Sequence, residues 1–248
     1  MKASLPMYDR QEVSEATENY WGSIRSELIS EGIDAPAGLD RDGVGVQYWT
    51  GADLVLSHTC GMPYRNHLHS KVKLVGTPDF GVPGCPSGYY YSVVVVRRND
   101  TRHHIEEFLP STIAINGKDS QSGYAAIAQH LQPSGSWFSQ TIESGSHRES
   151  ARCVVDGQAD IASIDATTWQ HLLRYDAFTQ NLRVLGKTMP TPALPYICAL
   201  AFDADVVFHA VKRAIDKLTP SDRQTLSIRG LVKIPASEYL QVPNPPIW

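Results

Sequence analysis

The stretch from Thr112 to Ala128 constrains the fold most. An apolar run, Thr112-Ile113-Ala114-Ile115, stops at a small polar loop, Asn116-Gly117-Lys118-Asp119-Ser120-Gln121-Ser122-Gly123. A helix-forming run, Tyr124-Ala125-Ala126-Ile127-Ala128, follows at once. This reads as a strand that hands over to a helix at two serines and a glycine. The first turn of such a helix has backbone N–H groups without intrahelical partners and carries partial positive charge. Two hydroxyls beside those amides make a place for an oxyanion. An ordinary N-cap serine explains the same residues without any ligand.

The rest of the chain repeats the alternation. Strand-like runs are predicted at 2–7, 53–57, 72–76, 92–97, 112–116, 160–164, 182–185 and 195–200, and helix-like runs at 12–30, 121–131, 148–156, 168–175 and 205–218. The first helix shows its period in Tyr20, Trp21, Ile24, Leu28 and Ile29 and ends at Gly32, a C-cap residue. Alternating strands and helices predict α/β units around a mainly parallel sheet. Two β-rich segments, Tyr89–Arg98 and the proline-punctuated 188–195 leading into 195–200, fit crossover strands between a lobe of about 93–190 and a lobe built from both chain ends. A single doubly wound sheet is the alternative.

Two further helix starts carry the same chemistry. Ser144-Gly145-Ser146-His147-Arg148-Glu149-Ser150 is a second polar loop opening a helix. His147 falls in the first turn, where a cation is disfavoured. It serves there as a neutral hydrogen-bond donor or as a group that charges when an anion arrives; a plain surface histidine is the alternative. Gly157-Gln158-Ala159-Asp160-Ile161-Ala162-Ser163-Ile164-Asp165 is a turn and a buried strand that ends on Asp165. Ligands of open α/β sheets sit beyond the carboxyl ends of strands, where Asp165 can accept a ligand proton, cap the next helix, or do both. Thr59, with the amides of Cys60 and Gly61, marks a third strand end, and Tyr8 after the first strand offers an aromatic wall. Met7, Tyr64 and Tyr90 are other side chains that can shape a pocket.

Composition excludes several classes. The net charge of −4 over 248 residues argues against a nucleic-acid surface. No run approaches the length of about eighteen apolar residues needed to enter a bilayer as a helix. Met1-Lys2-Ala3-Ser4-Leu5 reads as a first strand rather than an apolar leader, so either the protein is cytoplasmic or a leader has been removed. Nine histidines include His67-Leu68-His69 and His103-His104, but no metal-ligand spacing, so no metal and no cofactor is expected. No Gly-x-Ser-x-Gly elbow points to a hydrolase. Four cysteines, Cys60, Cys85, Cys153 and Cys198, show no CxxC pair, and a Cys60–Cys85 disulfide stays open.

The ordered set Leu5-Pro6-Met7-Tyr8, Thr59-Cys60-Gly61-Met62-Pro63-Tyr64, Ser120-Gln121-Ser122-Gly123-Tyr124, Gly145-Ser146-His147-x-x-Ser150 and Gly157-x-Ala159-Asp160-Ile161-Ala162-x-Ile164-Asp165 resembles the phosphate, phosphite and phosphonate substrate-binding proteins of ABC transporters. The resemblance implies a two-lobed α/β fold of the type II periplasmic-binding class with two crossover hinge strands. Residues 1–92 with 191–248 would form one lobe and 93–190 the other. It implies a small anionic ligand in an interlobe cleft, an ABC permease as partner, no catalysis and a periplasmic location. Carried over by motif, Ser120, Gln121 and Ser122 grip the oxyanion, His147 joins them, Asp165 lies across from the anion, and Tyr90 precedes the crossover strand. Gln121 departs from the small hydroxyl residue common in phosphonate binders. The readings from other classes are a leaderless cytosolic enzyme and a cytosolic sensor on the same scaffold.

Overall fold

The computed structural model describes residues 1–246. Its strands, in chain order, are β1 Lys2–Ser4, β2 Leu54–His58, β3 Val72–Asp79, β4 Tyr89–Tyr90, β5 Ser92–Arg97, β6 Thr112–Ile115, β7 Gln140–Glu143, β8 Ile161–Asp165, β9 Leu182–Lys187, β10 Thr191–Pro192, β11 Tyr196–Ala199 and β12 Gly230–Val232. Its α-helices are α1 Ser14–Ser30, α2 Val46–Trp49, α3 Gly61–Pro63, α4 Ala126–Leu131, α5 His147–Val155, α6 Ala166–Tyr175, α7 Ala204–Lys217, α8 Pro220–Leu226 and α9 Ala236–Leu240. Short 3-10 turns punctuate the rest, and two π turns, Tyr64–Leu68 and Gln121–Ala125, extend α3 and lead into α4.

The chain divides into two compact units. The first holds Met1–Tyr89 and Pro192–Gln241; the second holds Tyr90–Thr191 and, of the described residues, 242–246. At the two passages the short strands β4 and β10 pair with each other.

The first unit has a five-stranded sheet in the order β1-β2-β11-β3-β12. β1 and β2 are parallel, while β11 runs antiparallel to β2 and β3, and β12 antiparallel to β3. The predicted first strand stops early, at Ser4, because Pro6 has no N–H to continue a ladder. Helix α1 buries Tyr20, Trp21, Ile24 and Leu28 against this sheet and α7. It closes as a Schellman motif: Ile33 N–H bonds the Leu28 carbonyl at 2.9 Å and Gly32 N–H bonds that of Ile29 at 3.0 Å. Gly32 takes φ 76°, a conformation that favours glycine.

The second unit has a five-stranded sheet in the order β7-β6-β8-β5-β9. β6 is parallel to β7 and β8, and β5 is antiparallel to β8 and β9. β5 is buried on both faces. Val93 and Val95 pack with α5 and α6 residues on one side, and Val94 and Val96 pack with Phe108, Ile127 and Leu131 on the other. The expected mainly parallel sheet is therefore corrected: both sheets are mixed. The reason lies in the connections. β5 and β11 enter their sheets directly from the two inter-unit passages, with no crossover helix to bring them round parallel.

The double burial of β5 makes its valines a sensitive point. Val94→Ala removes two methylenes' worth of apolar surface and leaves a cavity, which costs about 2–3 kcal/mol. Urea unfolding followed by circular dichroism should show the loss; an unchanged midpoint would contradict the packing described for β5.

Candidate functional site

In the second unit, β7, β6 and β8 are parallel neighbours, so their carboxyl ends share one edge of the sheet. Each strand gives way there to polar residues and a helix start. Three sets of helix-opening amides are thus delivered to one edge by strand direction alone.

After β6, the loop closes on itself through Ser120 N–H to the Gly117 carbonyl at 3.2 Å. Ser120 is the N-cap, and its Oγ accepts from Gly123 N–H at 3.0 Å. Ala125 N–H then reaches the Ser120 carbonyl at 3.0 Å, an i→i+5 bond that makes this first turn a π turn. The wider turn places Gln121 and Ser122 in buried positions. Two buried hydroxyls fix it: Ser92 at the start of β5 and Ser163 in β8 donate to the Ser122 carbonyl at 2.9 and 2.7 Å. The Ser122 Oγ lies 2.8 Å from His147 Nε2. Gly123 is required beside it. A Cβ there would collide with Asn116 Oδ1 and lie 3.2 Å from His147 Cε1.

After β7, Ser144 ties the next loop back to the first. Its N–H and its Oγ both bond the Ile115 carbonyl, at 2.8 and 3.1 Å, and its Oγ also meets Ser150 Oγ at 2.7 Å. Ser146 caps α5 by accepting from Glu149 N–H at 3.2 Å. His147 is therefore the first residue of α5. Its ring is enclosed by protein and Nδ1 has no hydrogen-bond partner. Burial pulls its pKa down to about 4, with the backbone of Ser163 offsetting part of the shift. The imidazole is neutral near pH 7, as a helix N-terminus favours.

After β8, Asp165 caps α6: its Oδ1 accepts from Thr168 N–H at 2.9 Å. The carboxylate is almost fully enclosed, at 1% exposure, so what meets it must come as a donor. Tyr90 is buried at the start of this unit, and the carbonyl of Tyr91 accepts from Ala166 N–H at 3.1 Å.

The structure thus brings Ser122 and His147 into direct contact and sets Ser120, Gln121 and Asp165 at the same sheet edge. Tyr8 and Thr59 belong to the first unit. There they follow β1 and β2, whose carboxyl ends share an edge. The Tyr8 ring packs edge-on against Phe80 at 4.8 Å and His58 at 5.5 Å. Thr59 is buried, its N–H on the Pro195 carbonyl at 3.1 Å and its Oγ1 without a partner. Sequence reasoning missed Ser92, Ser163 and Phe80, and read Ser144 only as part of a helix-opening loop, not as the tie to Ile115. The only available signal was a serine interrupting each of two otherwise apolar strands. Among the described residues no group of three or more His, Cys, Asp or Glu side chains is placed to hold a metal ion.

A family model described as ABC transporter, phosphonate, periplasmic substrate-binding protein matches residues 56–239. The chain belongs to that family. Its fold is the type II periplasmic-binding fold. PhnD1 from Prochlorococcus marinus (MIT 9301), solved in complex with methylphosphonate, is similar at a TM-score of 0.74 and 16% identity, over 96% of this chain and 94% of that one. XAC2383 from Xanthomonas citri, solved bound to ATP, is similar at 0.71 and 14%, over 97% and 94%. The binding component PA3383 of an ABC phosphonate transporter from Pseudomonas aeruginosa is similar at 0.69 and 15%, over 94% and 80%. No curated protein matches the sequence.

Two buried imidazoles give this binding protein a characteristic acid response. His58 Nε2 donates to the Leu194 carbonyl at 3.1 Å, and burial lowers its pKa to about 3. His147 is lowered to about 4. Between pH 6.5 and 4 the unfolded chain takes up protons at both positions and the folded chain does not. Stability is therefore present above about pH 6.5 and lost as pH falls toward the folded values. The loss at pH 4 is on the order of 3 kcal/mol for His58 and somewhat smaller for His147, whose folded pKa is the higher of the two. Urea midpoints measured from pH 7 to pH 4 should fall, and His58→Gln should flatten the curve; a flat wild-type profile would show that these rings charge freely in the fold.

Proposed function

We propose that this chain is the ligand-capturing component of an ABC uptake system. We propose that Ser120, Gln121, Ser122, His147 and Asp165 hold a small phosphorus oxyanion of the phosphonate, phosphite or phosphate kind. Tyr90, and in the first unit Tyr8 and Thr59, are additional proposed contacts. The reading rests above all on one observation, the 2.8 Å hydrogen bond between the Ser122 side chain and His147 Nε2. It couples two helix starts through the two side chains best suited to an anion. Family membership and the methylphosphonate complex of PhnD1 support the same ligand class.

The physics of such a grip is dipolar. None of these residues is lysine or arginine. Attraction comes from helix-opening N–H groups, hydroxyls and an imidazole, each charge-assisted hydrogen bond contributing about 1.5–3 kcal/mol. Four or five of them exceed the ordering cost and give micromolar or tighter binding. Asp165 sets the selectivity. A carboxylate repels a fully deprotonated anion and accepts from an oxyanion that retains a proton, or from an ammonium on the ligand. Phosphonates, phosphite and phosphate retain protons near neutrality, and sulfate does not. Binding is reversible, without turnover.

Calorimetry with methylphosphonate, aminoethylphosphonate, phosphite, phosphate and sulfate tests this reading. At least one phosphorus oxyanion should bind, with sulfate at least about tenfold weaker. Ser122→Ala and His147→Ala should each lower the affinity about ten- to a hundredfold while leaving the fold intact. Wild-type affinity in both variants would remove the site, and a changed ³¹P spectrum after prolonged incubation would mean turnover.

A further inference from the structure

Asn116 has no place in the grip described so far, yet it is the residue at which β6 stops and the anion loop begins. Its side chain folds back over Gly123, so that a Cβ at Gly123 would strike its Oδ1. The His147 ring borders the same point, with Cε1 3.2 Å from that Cβ position. Cε1 is the carbon between the two ring nitrogens. One of them, Nε2, is engaged by Ser122 at 2.8 Å. The other, Nδ1, is buried without a hydrogen bond, and so is Asn116 Oδ1. Buried polar atoms are nearly always paired, and two unpaired ones of complementary kind at one point call for an explanation.

We infer that Asn116 is a positioning residue that acts through His147, its side-chain amide fixing the orientation of the imidazole and which ring nitrogen carries the proton. The inference rests on the proposed anion site. The amide suits both forms of the ring. A small turn of the side chains lets its oxygen accept from Nδ1–H or its NH₂ donate to a bare Nδ1; neither bond is formed in this structure. The second arrangement leaves Nε2 as the N–H donor, the form that presents a proton to Ser122 or to an oxyanion. Three carboxylates on the elements around α5 have partners of their own. Asp176 pairs with Arg148 at 2.8 Å, Asp160 pairs with Arg97 at 2.6 Å, and Asp165 caps α6. Asn116 and the Ser163 backbone both lie beside the ring.

The decisive measurement is ¹⁵N NMR of the His147 imidazole in the ligand-free protein, in wild type, Asn116→Leu and Asn116→Asp. Wild type should show one tautomer. Asn116→Leu should shift the two nitrogen resonances toward a mixture, and Asn116→Asp, which keeps an acceptor, should restore a single form. Methylphosphonate affinity should fall about tenfold in Asn116→Leu, the size of one lost charge-assisted hydrogen bond. Unchanged nitrogen shifts in Asn116→Leu would overturn the inference and assign the role to the Ser163 backbone. If Asn116→Leu fails to fold, Asn116→Ser, which leaves room over Gly123, carries the same readout. The spectra need no ligand, so the result stands apart from the site itself: loss of effect in His147→Ala calorimetry would sink the anion site, whereas inert spectra in the Asn116 variants would sink only this inference.

Discussion

The carbonyl of Ser122 receives two side-chain hydrogen bonds, from Ser92 in β5 and Ser163 in β8. The rest of the second unit's polar edge depends on it. A helix carbonyl engaged from outside by two buried hydroxyls has both acceptor positions filled, so its residue is held against two strands at once. That anchorage orients the Ser122 side chain toward α5, where His147 meets it. It also accounts for the π turn. One additional residue in the first turn lets the chain satisfy both the strand-borne hydroxyls and the capping bond from Gly123 to Ser120. A regular α turn has one residue fewer between cap and acceptor and a different facing for Ser122.

Strand direction does the remaining work. β7, β6 and β8 run parallel, so three loops that are far apart in sequence open three helices along one edge. Ser144 then ties the second loop to the end of β6 through the Ile115 carbonyl. The edge is thus cross-linked by neutral hydrogen bonds before any ligand is considered. A polar network that is mostly satisfied internally is rigid, and rigidity lowers the ordering cost of binding.

Much of this was legible in the residues and some was not. The loop at Ser120–Ser122, the cap at Ser146 and the end of β8 at Asp165 were readable because each rests on local chemistry: small polar residues between an apolar run and a helical one. The bounds of β5, Ser92–Arg97, followed from an unbroken β-branched run. Strand direction was not readable, because a period of two is the same for parallel and antiparallel neighbours. β7 was missed since Gln140-Thr141-Ile142-Glu143 lies at the sheet edge and carries no apolar pattern. The Ser92 and Ser163 anchors join residues thirty and forty-one positions from Ser122, a pairing that only the sheet order creates.

The residues proposed to hold the anion include no lysine or arginine, which bears on what they can recognise. Point cations attract any anion from a distance and are screened by salt, whereas amide and hydroxyl dipoles act over a hydrogen-bond length and demand geometry. Selectivity then follows from where acceptors and donors sit rather than from charge. In the proposed site a neutral imidazole and the enclosed carboxylate of Asp165 present a donor and an acceptor along the same sheet edge. The proposed ligand, an oxyanion with a proton or an ammonium to give, would satisfy both, whereas a bare fully ionised anion would leave the carboxylate opposed. The overall charge of −4 reinforces this, since the protein's long-range field offers an anion no help. Recognition by the proposed site then depends on contact, and the packing of Asn116 and His147 over Gly123 is where that contact geometry would be set.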